Sequence, residues 1–454
     1  MSGLFASLTM AARSVAAQEY GLNVTGQNIA NLNTDGYARR TVSLYEVTPS
    51  AGGGVEAVGA RAQRDVLLDA RIRQEFPAET QYGAVADSLA VVETSLGTVG
   101  QSIDGALTTF FDSFSSLAQE PTSSVVRDGV VLTGEQLAHT FNNMATRLAG
   151  ARQAADGQIR GGVDRLNTLA KQIAQLNTAI ATSGGADTET LRDQQGIALK
   201  ALAGLADVTV NERAEGGVDV SIGAGRALVM GSNTYAVSAV ATGPSGFAVV
   251  TLGGVAITGE IQRGQIGGLL QVRDTIVPDY QQRLDQLAFD VAGQVNALHQ
   301  AGTGLTGATG QAFFAPLAAV AGAAGAISVD AAVAANSSLV AASSTGAPGD
   351  NQAARAMANL RDTRVLNGGT TTLNDSWSQL VYRVGSDTQT AQAQRVSGQQ
   401  VVDQITKLRD QVSGVSLDEE AAAMMKFQRA YEANARFFMS VNDTISTLMA
   451  MVAR

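Results

Sequence analysis

The sequence predicts a mainly α protein with a small β part: a long-helix bundle, terminal helices that pair as a coiled-coil-like inner domain, and a small antiparallel β insert. Three observations support this fold class. Apolar residues recur at alternating steps of three and four near both chain ends. Long helical patterns fill most of the middle, and short apolar runs separated by Gly and Asn occupy residues 208–261. Aromatic residues make up only 5% of the 454 residues, and 7 are proline, which favours long helices packed by small side chains.

The C-terminal pattern is the longest regular one. It follows Gly414 and keeps a 3.5-residue repeat, which is typical of a coiled-coil seam. At 1.5 Å per residue the helix would be roughly 55 Å long, and a seam of that length requires a partner helix. Only two polar residues break the apolar run, which consists of Leu417, Glu420, Met424, Phe427, Tyr431, Asn434, Phe438, Val441, Ile445, Leu448 and Val452.

The N-terminal end of the chain supplies a matching pattern. Gln18 and Thr25 are its only polar intrusions. The residue pattern alone leaves two interpretations open: the two seams pair with each other, or two ordinary amphipathic helices lie on a globular core. The N-terminal seam consists of Leu4, Leu8, Ala11, Val15, Gln18, Leu22, Thr25, Ile29 and Leu32.

The middle of the chain reads as an antiparallel bundle interrupted once by strands. A second long helix is expected after Pro77, and a third from Ser123 to about Thr182 with a candidate interruption at Gly161. The pattern predicts three domains. They are an inner terminal-helix domain (1–36 and 414–454), a helical bundle (37–204 and 266–413) and a small antiparallel β insert (205–265).

A polar turn follows the first helix. Asn, Asp and Gly residues between positions 28 and 36 stop the helix, since they tolerate left-handed backbone and bond to nearby main chain. Three Asn residues and a Tyr-x-Arg are more than a stop signal requires. We therefore single out Asn31, Gly36, Tyr37 and Arg39 as candidate assembly residues. For Tyr37 and Arg39, local packing against the bundle is an equally good explanation.

Composition and motifs argue against several functions. The net charge of −10 and the lack of clustered Lys and Arg argue against nucleic-acid binding. No 18-residue apolar run is present, so we expect no membrane insertion. His139 and His299 lie far apart without Cys, so no metal site is expected. Nucleotide-binding and hydrolase motifs are missing, and the acids 418–420 complement a helix dipole. We expect neither an enzyme nor a cofactor.

Three stretches of sequence together resemble one protein family. Residues 28–39 (NIANLNTDGYAR) are similar to the N-terminal motif shared by rod, hook and hook-associated proteins, the axial proteins of the bacterial flagellum. Residues 413–422 (SGVSLDEEAA) and 427–435 (FQRAYEANA) resemble the hook-associated protein 1 family in particular. Residues 267–280 (GGLLQVRDTIVPDY), together with 307–314 (GATGQAFF), follow in that family's order.

The resemblance implies a structural subunit of the zone between hook and filament. In that family the terminal helices pair as an inner domain lining the channel of a helical tube. The implied partners are further copies of the chain, the hook protein, a second junction protein, the type III export apparatus and an export chaperone that binds the C-terminal segment. Export without a cleaved signal peptide would agree with the N-terminus, which lacks secretory features and by itself indicates the cytoplasm; the expected location is the extracellular flagellum.

Other functions remain as alternatives. A hook or distal-rod protein would share the N-terminal motif, but not the motif at Leu417 or the mid-chain block at Arg273. An adhesin would carry its recognition surface in the β insert or in residues 301–347. A cell-wall hydrolase requires converging acids, and the sequence offers no such pair. The residues we expect to mediate self-assembly are Leu4, Leu8, Val15, Leu22, Ile29, Asn31, Gly36, Tyr37, Arg39, Leu417, Met424, Phe427, Tyr431, Phe438, Val441, Ile445 and Leu448.

Overall fold

The computed structural model describes residues 2–48, 53–97, 102–183, 187–213, 216–242 and 246–452. The two chain ends form long helices, α1 (Ser2–Ala30) and α12 (Leu417–Val452), which pack against each other. A hairpin of strands β1 (Arg40–Glu46) and β2 (Val55–Ala62) follows α1 and packs on it. The expected pairing of the terminal helices is therefore present, and the chain after Tyr37 forms one strand of a hairpin.

The bundle consists of long helices that differ from the predicted ones in two places. Helix α2 (Val66–Ser95) begins eleven residues before Pro77, because the Asp65 carboxylate caps it by accepting from the amides of Leu67 and Leu68. The prediction that the helix starts after Pro77 is therefore wrong. The other long bundle helices are α3 (Ile103–Gln119), α4 (Ser124–Thr182), α5 (Asp187–Leu205) and α11 (Leu373–Ser413).

Helix α4 is continuous through the glycines expected to interrupt it. A Cβ on Gly162 would lie 3.0 Å from the side chain of Ile266, so glycine there permits the close approach of helix α6 (Gly264–Gln271). The chain then continues through a π-helical turn (Val272–Ile276) into α7 (Val277–Ala301), which has Pro278 in its first turn.

Aromatic rings fill part of the apolar core of the bundle. Phe313 and Phe314 are fully buried and stack against Phe110, with ring centroids 5.4 and 5.6 Å away. These rings anchor the irregular stretch after α7 to the bundle core. That stretch contains three short helices, α8 (Ala323–Ala326), α9 (Ala331–Ala335) and α10 (Gln352–Asn359).

His299, near the end of α7, is a buried structural residue. Its Nδ1 lies 2.7 Å from the carbonyl of Gln311, and its Nε2 accepts a hydrogen bond from the amide of Ala341. Burial lowers the pKa of this imidazole. The ring therefore ties the irregular stretch to α7 in its neutral form.

The β insert consists of two antiparallel sheets. The first sheet has the order β3 (Val208–Glu212), β4 (Val218–Ile222), β5 (Arg226–Met230), β6 (Asn233–Thr234). The second has the order β7 (Val237–Ala241), β8 (Ala248–Leu252), β9 (Val255–Ala256). The sheets therefore lie within the range expected for the β insert.

Three polar side chains of α4 hold both sheets. Asn177 is buried; it donates to the carbonyls of Val218 and Gly231 and accepts from the amide of Val218. Asn167 makes the same two-way contact with the main chain of Val237. Asp156 accepts from the amide of Ala248. These side chains lie ten or eleven residues apart, about three helical turns, so one face of α4 satisfies main-chain groups of both sheets.

The π-helical turn contributes a fourth fixing point. Arg273 in this turn is buried, with its guanidinium 2.6 Å from Asp156 and 2.8 Å from the carbonyl of Ala248. The backbone amide of Ala248 and the guanidinium groups of Arg160 and Arg273 lower the pKa of Asp156, against the opposing effect of burial. The Arg273–Asp156 ion pair therefore joins three elements. Arg273 is in the π-helical turn, Asp156 is on α4, and both side chains bind the main chain of Ala248 on β8.

Two further features are missing from the described residues. No helix among them is long and apolar enough to cross a membrane. No group of three or more His, Cys, Asp or Glu side chains in the same part of the chain is arranged to hold a metal ion.

Candidate self-assembly interface

The terminal helices pack antiparallel in a single register. A Cβ on Gly21 would lie 2.6 Å from ring atoms of Phe427, so the aromatic ring lies directly on the α1 backbone. One heptad further along α1, Asn28 donates a hydrogen bond of 2.9 Å to Glu420. Because α1 advances from 21 to 28 while α12 goes back from 427 to 420, these two contacts fix both direction and register.

The α12 face agrees with the predicted seam over most of its length. Glu420 and Val441 are buried, and the seam residues between them are half-buried. Leu417 and Leu448, at the two ends of the series, are 51% and 41% exposed and lie outside the packed zone. The predicted residues on this half-buried face are Met424, Phe427, Tyr431, Phe438 and Ile445.

The α1 seam has the predicted period but, in its second half, a different phase. Ala17, Gly21, Val24 and Asn28 are buried, each one residue before a predicted seam position, and of the predicted positions between 18 and 32 Thr25 alone is also buried. The helices approach each other along small side chains, because the ring of Phe427 requires the space above Gly21. The larger predicted residues flank this line and are half-buried: Leu4, Leu8, Val15, Leu22 and Ile29.

Two candidate residues of the turn have local backbone roles. Asn31 closes α1, since its side chain donates to the carbonyl of Gln27 and accepts from the hydroxyl of Thr34. Gly36 has φ +78°, and a Cβ there would lie 2.7 Å from the side chain of Ile197 on α5. Glycine is therefore required both for the left-handed turn and for contact with the bundle.

Asn28 is the centre of the polar turn. Its Oδ1 accepts from the Tyr37 hydroxyl at 2.8 Å and from the Arg40 amide at 3.0 Å. Its Nδ2 donates to the Arg40 carbonyl and to Glu420. The Arg40 guanidinium lies over the Tyr37 ring, 5.1 Å from its centroid. Burial raises the pKa of the Tyr37 hydroxyl, and Arg40 opposes that shift.

Arg39 joins the same cluster from the other side of Glu420. Its Nε lies 2.7 Å from Glu420, and its outer nitrogen lies 2.7 Å from Glu419. Its amide donates to the carbonyl of Ser413 at 2.8 Å, so the residue bridges the last residue of α11 and the first turn of α12. Tyr37 and Arg39 thus contact the terminal helices of their own chain, and Arg39 also contacts the end of the bundle helix α11.

The contact between Asn28 and Glu420 was not predicted, although both residues stand out as polar positions in the sequence. Glu420 is a charge in an otherwise apolar seam, and Asn28 belongs to the polar turn at the end of the opposite seam. A buried polar group requires a partner. Pairing Glu420 with the polar turn at the end of the opposite seam would therefore have indicated both the contact and the helix register.

Much apolar surface of the terminal pair remains open to solvent. The exposed set consists of Phe5 on α1 and seven large side chains on α12, all between 41% and 68% exposed. Exposed apolar surface of this extent is typical of an interaction face. The side chains are Phe5, Leu417, Met425, Phe437, Met439, Leu448, Met449 and Met451.

Family comparisons identify this arrangement. Residues 89–314 match a family model described as the helical domain of flagellar hook-associated protein FlgK, and residues 410–451 match one described as the C-terminal region of flagellar basal body rod proteins. The second match covers α12 and the end of α11. Together, the fold and these two matches define an axial protein of the bacterial flagellum.

Full-length relatives narrow this class. The chain is 27% identical to flagellar hook-associated protein 1 of Bacillus subtilis strain 168, covering 96% of both chains. It is 24% identical to the protein of that name from Escherichia coli strain K12, covering 95% of this chain and 97% of the relative. Over nearly its whole length the chain is therefore similar to the flagellar hook-associated protein 1 family.

A solved structure shares the fold. The flagellar hook junction protein FlgK from Burkholderia pseudomallei superposes with a TM-score of 0.65 at 18% identity, covering 76% of this chain and all of that one. The long-helix bundle with small antiparallel sheets is therefore a fold shared with a junction protein.

Proposed function

We propose that this chain is a structural adapter subunit that polymerises between the hook and the filament of the bacterial flagellum. The observation that carries the proposal is the terminal pair: two helices from opposite chain ends in one register, with large apolar side chains left open. The position between hook and filament is proposed from the similarity to flagellar hook-associated protein 1. Contacts between copies would be heterologous and non-closing, which builds a tube wall.

The energetics of the pair favour ordering on assembly. Fixing the backbone of a residue costs about 1–2 kcal/mol, and burying a large apolar side chain returns roughly 1.5–3 kcal/mol only when neighbours cover it. The α12 seam is mostly half-buried against α1 alone. Neighbouring copies would complete that burial, so folding of the pair is linked to polymerisation. Hydrogen exchange on the free subunit tests this, because protection of residues 418–451 equal to that of the bundle core would contradict it.

The proposal extends to partners and location. Copies of the chain would contact the hook protein on one side and a second junction protein on the other, outside the cell. The marginal terminal pair is compatible with export in unfolded form through the type III apparatus, with a chaperone covering the open apolar face of α12. The three-domain division proposed from the sequence needs one change, since the hairpin packs with α1 and belongs with the inner domain.

Immunoelectron microscopy tests the location. Antibodies against the β insert should label intact flagella in one narrow zone at the hook–filament boundary. Label along the hook or at its base would instead favour the hook or rod alternative. Binding of a surface glycan by the full-length subunit, with no label at the boundary, would favour the adhesin alternative.

A further inference from the structure

The joint between the terminal helices and the bundle consists of few contacts. We define the terminal unit as α1, α12 and the hairpin β1–β2; these elements pack on one another. Among the described residues, no element of the terminal unit packs along a bundle helix. Instead, the terminal unit is connected to the bundle through residues 36–40, 63–65 and 413. Side chains of the first two segments bind helix α5.

One carboxylate on α5 collects the charged side chains of this joint. Asp193 is 8% exposed, and its two oxygens bind two different arginines. Arg40, the first residue of β1, lies 3.1 Å from one oxygen, and Arg64, just after β2, binds the other. Arg64 also donates to the carbonyl of Glu189 at 3.1 Å. Both ends of the hairpin are thus tied to one point of the bundle.

Arg40 also connects Asp193 to the terminal helix pair. Its amide and carbonyl are both bound by Asn28, whose side chain donates to Glu420. A continuous polar path therefore runs from α12 through Asn28 and Arg40 to α5. Among the described residues, Arg40 links the two groups directly, because its main chain binds Asn28 and its side chain binds Asp193.

The ion pairs at the joint carry a desolvation cost. Burial raises the pKa of Asp193 despite the two opposing arginines, and the Nε of Arg40 is buried without a hydrogen-bond acceptor. Buried charge networks of this kind contribute little net stability but define a specific geometry. Removing the central carboxylate leaves Arg40 without a carboxylate partner and Arg64 with only Glu189, whose carboxylate lies 3.8 Å away. Swinging the terminal unit outward would hydrate both guanidinium groups.

We propose that Asp193 is a positioning residue: its carboxylate fixes the orientation of the terminal unit on the bundle, and without it the terminal unit turns about the joint. This goes beyond the adapter role and concerns the free subunit, so it stands whether or not the chain lies at the junction. In an assembled tube, the same carboxylate would set the angle between the inner wall and the outer bundle.

Distance measurement between two spin labels tests the proposal. The chain has no Cys, so Tyr45→Cys on the hairpin and Lys171→Cys on α4, both exposed, give a single label pair across the joint in the full chain. We expect one narrow distance distribution in the parent and a broad one in Asp193→Asn. The matched control is Asp87→Asn, which removes an exposed ion pair with Arg395 inside the bundle and should leave the distribution narrow.

Hydrogen exchange separates a loosened joint from an unfolded bundle. In Asp193→Asn, amides of residues 39–46 should exchange at least about tenfold faster, while residues 137–148 in the bundle core keep their protection. A narrow, unshifted distance distribution in Asp193→Asn overturns the proposal.

A second variant covers the case in which Asp193→Asn does not fold. Arg40→Gln with Arg64→Gln removes the same two ion pairs from the opposite side and leaves the carboxylate next to neutral amides. This double variant should also broaden the distribution, and an unchanged distribution would overturn the proposal as well.

Discussion

Asn28 and Glu420, 392 positions apart in sequence, share a hydrogen bond of 2.9 Å in the buried part of the terminal pair. Glu420 is only 2% exposed, and it also binds the guanidinium of Arg39 at 2.7 Å. The contact joins the polar turn after α1 to the first turn of α12. It gives an otherwise apolar seam a unique register, since sliding by one heptad would bury the carboxylate without a partner.

Replacement of Glu420 should therefore cost far more than replacement of its neighbour. Glu420→Ala leaves Arg39 and Asn28 without their buried acceptor, and we expect it to destabilise the terminal pair by roughly 2 kcal/mol. Glu419→Ala removes an exposed ion pair with the same arginine, worth about 0.2–1 kcal/mol. The measurement is the number of filaments per cell in cells complemented with each variant. Equal filament numbers for the two variants would contradict this assignment.

Gly21 offers a test of helix contact with an internal control. Gly21→Ala places a Cβ 2.6 Å from the Phe427 ring, whereas a Cβ at Gly26 on the same helix meets nothing within 4 Å. In an open helical position Gly→Ala stabilises by about 0.5–1 kcal/mol, so Gly26→Ala should not reduce assembly. Gly21→Ala should reduce filament number, and adding Phe427→Leu should restore part of it. Reduced assembly in Gly26→Ala alone would show that α1 packs differently.

Asn177 should hold the first sheet of the β insert to α4. Asn177→Ala leaves the main-chain groups of Val218 and the carbonyl of Gly231 without that partner, so we expect local destabilisation of about 2–3 kcal/mol. Amides in residues 218–230 should then exchange faster. Asn143, exposed on the same helix, provides the control variant Asn143→Ala, which should behave as the parent. Unchanged exchange in Asn177→Ala would mean that the sheet is held by its apolar face alone.

His299 should make the bundle sensitive to acid. Burial lowers the pKa of this ring and Arg127 adds to the effect, while the Gln311 carbonyl and Asp330 act in the opposite direction. Because the folded pKa lies below the ordinary value of about 6.5, the neutral ring contributes stability that is fully present above that pH. This contribution is lost as the pH falls through the folded pKa.

Thermal unfolding of the full chain between pH 7.5 and 5 checks this dependence. The parent should lose stability over that window, and His299→Gln should show a flatter profile, since it has no proton to bind. His139 is exposed on α4, so His139→Gln should retain the parental slope. A parental slope in His299→Gln would assign the acid sensitivity to other groups.

The helical pattern made the α12 face predictable from sequence, because large apolar side chains mark it directly. The phase of α1 was not predictable in the same way. Its buried line is carried by Ala17, Gly21 and Val24, whose small side chains give a weak signal, while the more conspicuous Leu22 and Ile29 lie beside it. The smallest residues determine how closely two helices approach each other. The hydrophobicity of a sequence alone does not indicate where that closest approach lies.

Long-range polar contacts were likewise outside the reach of local patterns. Nothing near Asp193 in the sequence indicates that Arg40 and Arg64 converge on it. The start of α2 was misplaced for a different reason. Proline inside a helix removes one hydrogen bond, and Pro77 is tolerated there because it is buried in a helix that packs along α11. Tertiary packing therefore overrode the local breaker signal.

The most direct test of the central claim is electron microscopy of cells that produce the chain without residues 418–454, with flagellin assayed in the medium. The terminal pair cannot form without α12, so the adapter should fail to polymerise. We predict bare hooks of normal length and flagellin lost to the medium. Normal filaments on these cells would contradict the claim that the terminal helices build the junction.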